Sequence, residues 1–342
     1  MRVTYVMPFP ELNGGNKVIF QHARLLAQGG DEVSILGEGP RPEWIDAGNY
    51  HDYAGAPPPA LASQDLVIAT YWTTIPTALR LGIGPVAHFC QGYEGDLEHL
   101  AAQRGAIEAA YREPLPTLTV TPYLAAMVSE RFGRRSRVVP PPLDALFRPR
   151  PLRALAGPRR RPWIAVPGIF EAPVKGVDTA LAAVAALRER GIDCRVLRFS
   201  VLPLSLAERA LHEADRVLVG VHPREVARAL AACDLLLLGS RAAEGFGLPV
   251  LEAMACGVPV VASRIPPTEY MAAQAAELVE PEDVNAFADA AERLLRDRRG
   301  WRTARRLGLA ASRDFAADRV AADLHEAVRW AARQSVALSV AP

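Results

Sequence analysis

Short apolar runs alternate with amphipathic stretches along most of the chain. Residues 3–7 read as a buried strand. Residues 17–28 carry apolar positions at helical spacing up to a stop at Gly29 and Gly30. The rhythm continues with strands over 32–36, 66–70, 85–90 and 118–121 and helices over 75–81 and 123–132, the last closed by Gly133. Between 140 and 162 the periodicity stops, and prolines and arginines dominate, as in an interdomain linker. A second alternation follows: strands over 163–166, 195–199, 216–221, 235–238 and 258–262, helices over 177–190, 225–232 and 250–255, and helix from 285 onward. The pattern predicts an α/β chain of two Rossmann-like, doubly wound domains, residues 1–150 and 151–317, with a last helix over about 318–342 packing back on the first. Such sheets bind ligands at the carboxyl ends of their strands, and two such edges face to face would enclose a deep cleft.

The 342 residues are too many for one ordinary domain and suit two, and a hydrophobic share of 50% fills two cores. A formal net charge of +1 argues against nucleic acid as a partner. Arginines do cluster, at Arg134, Arg135 and Arg137, at Arg159, Arg160 and Arg161, and at Arg296, Arg298, Arg299, Arg302, Arg305 and Arg306. The plain reading is solvated surface; the sharper one is contact with an acidic acceptor or an anionic membrane. Cys90, Cys194, Cys233 and Cys256 show no metal-ligand spacing and lie in apolar stretches, as small buried residues of a reducing compartment do. No leader is visible, and no apolar run approaches the ~20 residues of a membrane span. A cytoplasmic protein is expected, touching a membrane at most peripherally.

The chemistry concentrates in EGFGLPVLEAMACGVPV, Glu244 to Val260, directly after the strand over 235–238. Gly245 and Gly247 let the loop bring backbone N–H groups close to a ligand. Pro249 suits the first position of a helix whose positive end points back at the loop and favours a diphosphate. Glu252 is expected in the first turn and Glu244 before the loop, so one carboxylate reaches each side of a ligand and accepts hydrogen bonds from hydroxyls. Read singly, Glu252 is a helix-dipole partner and Glu244 a solvated loop acid; the glycines between them favour the joint reading. Lys175, before Gly176 at a helix start, is one of two lysines with Lys17. It is either a point charge for phosphate or a solvated side chain. Gly14 and Gly15 open a helix and offer N–H groups, or make only a turn. His88, Gln91 and Glu94 stand around a strand end, where a polar residue touches a ligand or caps a loop.

The Glu244–Val260 stretch resembles the donor-binding motif of the retaining glycosyltransferases of family 4, which have the two-domain GT-B fold. Residues 10–15, the segment VVPPPLDALFRP over 138–149, and Val174-Lys175-Gly176 resemble further elements of that family in the same order, so the resemblance runs from residue 1 to about 290. It implies that Glu252 binds the donor ribose, and that Glu244 with the N–H groups of Phe246, Gly247 and Leu248 holds the donor sugar. Lys175 would neutralise the leaving diphosphate. Gln91 or His88 would stand for the family's histidine at the donor sugar, Gln91 without the capacity to act as an acid, and Glu94 would orient the acceptor. The base would be read near Val221 or the loop at Ser240 and Arg241.

One departure stands out. The family's arginine five residues before the lysine is here Phe170, so Arg241 or Lys17 would have to replace it. The implied reaction moves a sugar from a nucleotide-diphosphate sugar to a hydroxyl of a small-molecule or glycan acceptor, with retention. The leaving phosphate takes the proton, and no metal or further cofactor takes part; the chain has no Asp-x-Asp pair. The arginine- and alanine-rich texture suggests an antibiotic pathway of the avilamycin (orthosomycin) type. Two alternatives share the fold: a nucleotide-sugar epimerase and a sugar-binding subunit without turnover. A dehydrogenase would need Gly-x-Gly-x-x-Gly after the first strand, which is missing.

Overall fold

The computed structural model describes residues 1–53, 58, 61–151 and 157–340, of which 336–340 as backbone only. Part of the expected linker, residues 152–156, lies outside the described residues. The chain divides into two compact units, Met1–Pro142 with Ala317–Pro342, and Leu143–Ala316.

The first unit runs β1 (Arg2–Met7), α1 (Gly14–Gln28), β2 (Glu32–Gly37), β3 (Asn49–Asp52), β4 (Leu66–Ala69), α2 (Thr74–Leu81), β5 (Val86–Cys90), α3 (Arg104–Arg112), β6 (Thr117–Thr119), α4 (Pro122–Phe132) and β7 (Ser136–Val138). Its strands pair in parallel in the order β3-β2-β1-β4-β5-β6-β7. The central strands are apolar on both faces because helices cover both. The order reverses between β1 and β4, and crevices for ligands open at such a reversal.

The second unit runs β8 (Trp163–Pro167), α5 (Val177–Glu189), β9 (Arg195–Ser200), α6 (Leu206–Leu211), β10 (Arg216–Val219), α7 (Pro223–Leu230), β11 (Leu235–Leu238), α8 (Leu248–Ala255), β12 (Val260–Ser263), α9 (Pro266–Ala272), β13 (Glu277–Val279), α10 (Val284–Arg296) and α11 (Arg298–Ala311). The sheet order is β10-β9-β8-β11-β12-β13, all parallel, with its reversal between β8 and β11. One face is filled by α5 and α10, which bury Leu181, Val184, Leu187 and Phe287 against Ile164, Val196 and Leu237. The last helix, α12 (Ala317–Val340), belongs to the first unit, where it packs on α1 and on β4, β5 and β6.

Several elements differ from expectation. The unit boundary falls before residue 150, because the Leu143 N–H bonds the Phe315 carbonyl at 2.7 Å and draws the following residues into the second unit. Helix α1 begins at Gly14 rather than 17, since the Asn13 side chain caps it by accepting from the Asn16 N–H at 2.8 Å. Strand β10 stops at Val219, where Gly220 takes φ 57° and leaves Val221 in a loop. Helix α8 begins at Leu248, so Pro249 is not its first residue and Glu252 lies beyond the first turn. Two of the clustered arginines are not solvated. Arg134 is 3% exposed and donates to the Ala110 and Glu113 carbonyls. Arg305 is buried and donates to the Gly257 and Cys256 carbonyls, closing the end of α8. All four cysteines are free and buried. Among the described residues no helix is long and apolar enough to cross a membrane.

Candidate functional site

Strand β11 is four consecutive leucines, all buried, and at its end the chain meets Gly239. Strand β8 ends beside it and leads through Gly168 to Lys175 and Gly176. The two loops touch backbone to backbone. A Cβ on Gly176 would lie 1.8 Å from the Gly239 carbonyl oxygen, and a Cβ on Gly239 would lie 2.3 Å from the Gly176 oxygen. Gly176 also holds φ +53°, which a side chain disfavours. This contact brings two sequence-distant groups together: Lys175 Nζ donates to Glu244 Oε2 at 2.9 Å and to Oε1 at 3.1 Å.

The buried Ser240 hydroxyl donates to the same carboxylate at 3.1 Å. Burial pushes the Glu244 carboxyl up, but Lys175, Ser240 and the Gly245 N–H outweigh it and hold the group below the usual range. Glu244 is therefore an anion at neutral pH. Lys175 and Glu244 thus form one pair here, where the sequence suggested two separate roles.

After Glu244 the loop rises to the start of α8. Phe246 turns its ring inward, edge-on to Phe315 at 5.7 Å, and Gly247 caps the helix with φ 86°. Among the described residues no protein atom accepts from the N–H groups of Phe246, Gly247 and Leu248. Orphan donors at a helix start attract anions, and the helix dipole adds to the pull. Glu252 is half-buried along α8 and engages other groups of the chain.

Other candidates stand apart. Arg241 reaches Asp178 at 2.9 Å and Glu282 at 3.0 Å and also donates to the Pro173 carbonyl, so its guanidinium holds the loop rather than facing the Glu244 carboxylate. Phe170, where the resemblance implies an arginine, packs against the core of the unit. Val221 follows the edge strand β10, with β9 and β8 lying between it and β11.

In the first unit, Gln91 and Gly15 meet. Gln91 Nε2 donates to the Gly15 carbonyl at 3.2 Å, and Gly14 starts the same helix. His88 lies inside β5 at 0% exposure, with Nδ1 3.0 Å from an Arg134 guanidinium nitrogen. Burial and then the Arg134 charge push its pKa well below the ordinary histidine value, so it stays neutral in the core. Glu94 is buried just past β5 and accepts from the Tyr111 hydroxyl at 2.7 Å; burial raises its pKa to about 7. No spacing along the chain signals Gly239 and the Ser240 hydroxyl as partners of Lys175 and Glu244.

The chain is similar to several known proteins. Residues 161–297 match the glycosyl transferases group 1 family. The MMP alpha-(1->4)-mannosyltransferase of Mycolicibacterium hassiacum is 35% identical over 191 residues, 52% of this chain and 44% of its own. The N-acetyl-alpha-D-glucosaminyl L-malate synthase of Bacillus anthracis is 44% identical over 89 residues, 25% of this chain and 23% of its own. The chain spans less than half the length of the curated relatives it matches. Among solved structures, sucrose-phosphate synthase of Thermosynechococcus elongatus superposes with TM-score 0.78 at 20% identity, over 96% of this chain and 98% of its own. Anabaena HepE in complex with UDP-glucose superposes with TM-score 0.76 at 17% identity, over 96% of this chain and 100% of its own. The fold is therefore GT-B, and the match to the glycosyl transferases group 1 family falls within the second unit.

Proposed function

We propose that the chain is a retaining, metal-independent glycosyltransferase that moves a sugar from a nucleotide-diphosphate sugar to an acceptor hydroxyl. The observation that carries this reading is the Lys175–Glu244 pair set beside three open N–H groups at the start of α8. An ammonium and oriented amides suit a diphosphate, and a carboxylate beside them suits sugar hydroxyls. On donor binding Lys175 turns to the phosphate oxygens, and Glu244 exchanges the ammonium for hydroxyl donors. As the anomeric bond breaks, charge grows on the leaving oxygen, where the amides and Lys175 oppose it. The leaving phosphate then takes the acceptor proton on the same face. Glu252 is assigned to the ribose, and Gln91 with Gly14 and Gly15 to the sugar and acceptor contacts of the first unit. A place in secondary-metabolite or polysaccharide assembly fits this class of reaction.

A thermal-shift panel of UDP, GDP, dTDP and ADP tests the reading. One of them at a hundredfold over its dissociation constant should stabilise the protein by about 2.7 kcal/mol. Glu244→Ala should stay folded yet lose sugar transfer by at least about 10²-fold. No response to any of the four nucleotides would sink the assignment. A second reading, a binding subunit without turnover, is favoured by Phe170 at the arginine position and by the acid-paired Arg241. It expects nucleotide binding with neither transfer nor donor hydrolysis.

A further inference from the structure

Resting on the donor-site reading above, we propose that Arg198 is a positioning residue of that site: its guanidinium holds the 168–175 loop so that Lys175 is presented to the donor diphosphate. Arg198 lies in β9 and is 1% exposed, as is its partner Glu208 of α6, which accepts from Nε. The other arms of the fork leave the ion pair. Nη1 donates to the Val166 carbonyl and Nη2 to the Gly168 carbonyl at 2.9 Å. These carbonyls mark the point where the chain leaves β8 for the loop.

Gly168 sits at φ +116°, and a Cβ there would meet Lys175 Cβ and Val177 Cγ2, both at 3.2 Å. The Gly168 backbone that Arg198 holds thus lies close to the lysine stem, with no room for a side chain between them, and the ammonium meets Glu244. Within the loop itself the backbone bonds are Ala172 N–H to Ile169 at 3.3 Å, Lys175 N–H to Ala172 at 2.8 Å and Gly176 N–H to Pro173 at 3.0 Å. The first is long, so support for the loop's start comes from the sheet beneath it. Burying both charges is costly, and apolar side chains of similar volume often serve the fold as well. What apolar side chains cannot do is donate to two carbonyls at a strand end, as a planar fork can.

The test uses the full chain carrying Arg198→Met with Glu208→Leu, which removes both charges together. Circular dichroism and thermal unfolding check the fold, and calorimetric titration with UDP, GDP, dTDP and ADP gives the dissociation constants. The double variant should melt close to the parent yet bind the parent's nucleotide about tenfold more weakly, the loss of one charge-assisted hydrogen bond. Adding Lys175→Met to it should weaken binding far less than Lys175→Met does alone, because the two residues act as one unit. Unchanged binding by the folded double variant, or full additivity with Lys175→Met, would overturn the role of Arg198 and leave the donor site standing. A parent that binds none of the four nucleotides would overturn the donor site itself and Arg198's role with it. Should the double variant not fold, Arg198→Lys carries the same comparison: it keeps the charge and loses the fork.

Discussion

Glu244, in the loop after β11, is largely buried and Glu94, just past β5, is buried, and the two respond to pH in opposite directions. Glu244 has an ammonium against it, which outweighs its burial and lowers its pKa. Its contribution to stability is present above the unfolded value of about 4.5 and is lost as pH falls through the folded one. Glu94 has a phenol, Tyr111, as its hydrogen-bond donor, with Cys90 and Arg134 nearby, and burial dominates. Its pKa rises from 4.5 to about 7, so the folded state holds a proton that the unfolded state releases. Stability from this group is full below about 4.5 and declines as pH rises through 7. The Glu94→Gln variant keeps an acceptor for Tyr111 and cannot ionise. Its melting temperature relative to the parent should therefore climb between pH 5 and 7.5, towards a gain on the order of 3 kcal/mol at most. A flat difference across that range would show that Glu94 is not protonated in the fold. Such differences between acids are invisible in a sequence. So is the contrast between Arg134 and Arg305, which are buried and bonded to carbonyls, and the exposed arginines of the same runs.

At the scale of elements, the candidate site exists because two loops can touch. Gly176→Ala would place a methyl group on the Gly239 carbonyl and strain a left-handed φ. It should cost the second unit about 2–5 kcal/mol and weaken nucleotide binding in parallel. Gly191→Ala is the control: φ is +81° but no atom lies within 4 Å, so only the strain of about 1–2 kcal/mol remains. Urea unfolding followed beside nucleotide titration separates the two, and equal costs would refute the contact. The elements legible in the sequence were the central ones, β1, β5, β8 and β11, because a parallel strand buried on both faces is a continuous apolar run. The edge strands β3, β7 and β13 leave no such run, being short, partly exposed and rich in polar residues such as Asn49, Ser136 and Glu277. The glycine loop and its acid were legible from residue types alone. Their pairing with Lys175 was not, since it depends on strand order at β8 and β11 rather than on spacing along the chain.

At the scale of the whole molecule, α12 is part of the first unit although α11 and the residues before it belong to the second. It buries Val320, Leu324, Val328 and Trp330, sets His325 against Asp31 and lies over α1 and β5. Four such side chains contribute about 6–12 kcal/mol, which compares with the ~5–15 kcal/mol that holds a typical domain together. A chain ending before Ala317 should therefore lose the cooperative melting of its first unit while the second keeps its own. Calorimetry on the shortened protein checks this, and two intact transitions would contradict it. The same arrangement orders events during synthesis. Residues 143–316 emerge from the ribosome as an uninterrupted stretch and can close at once. Residues 1–142, though made earlier, must wait with an uncovered apolar face until α12 arrives, so newly made chains are most exposed to misassembly and chaperone capture in the first unit.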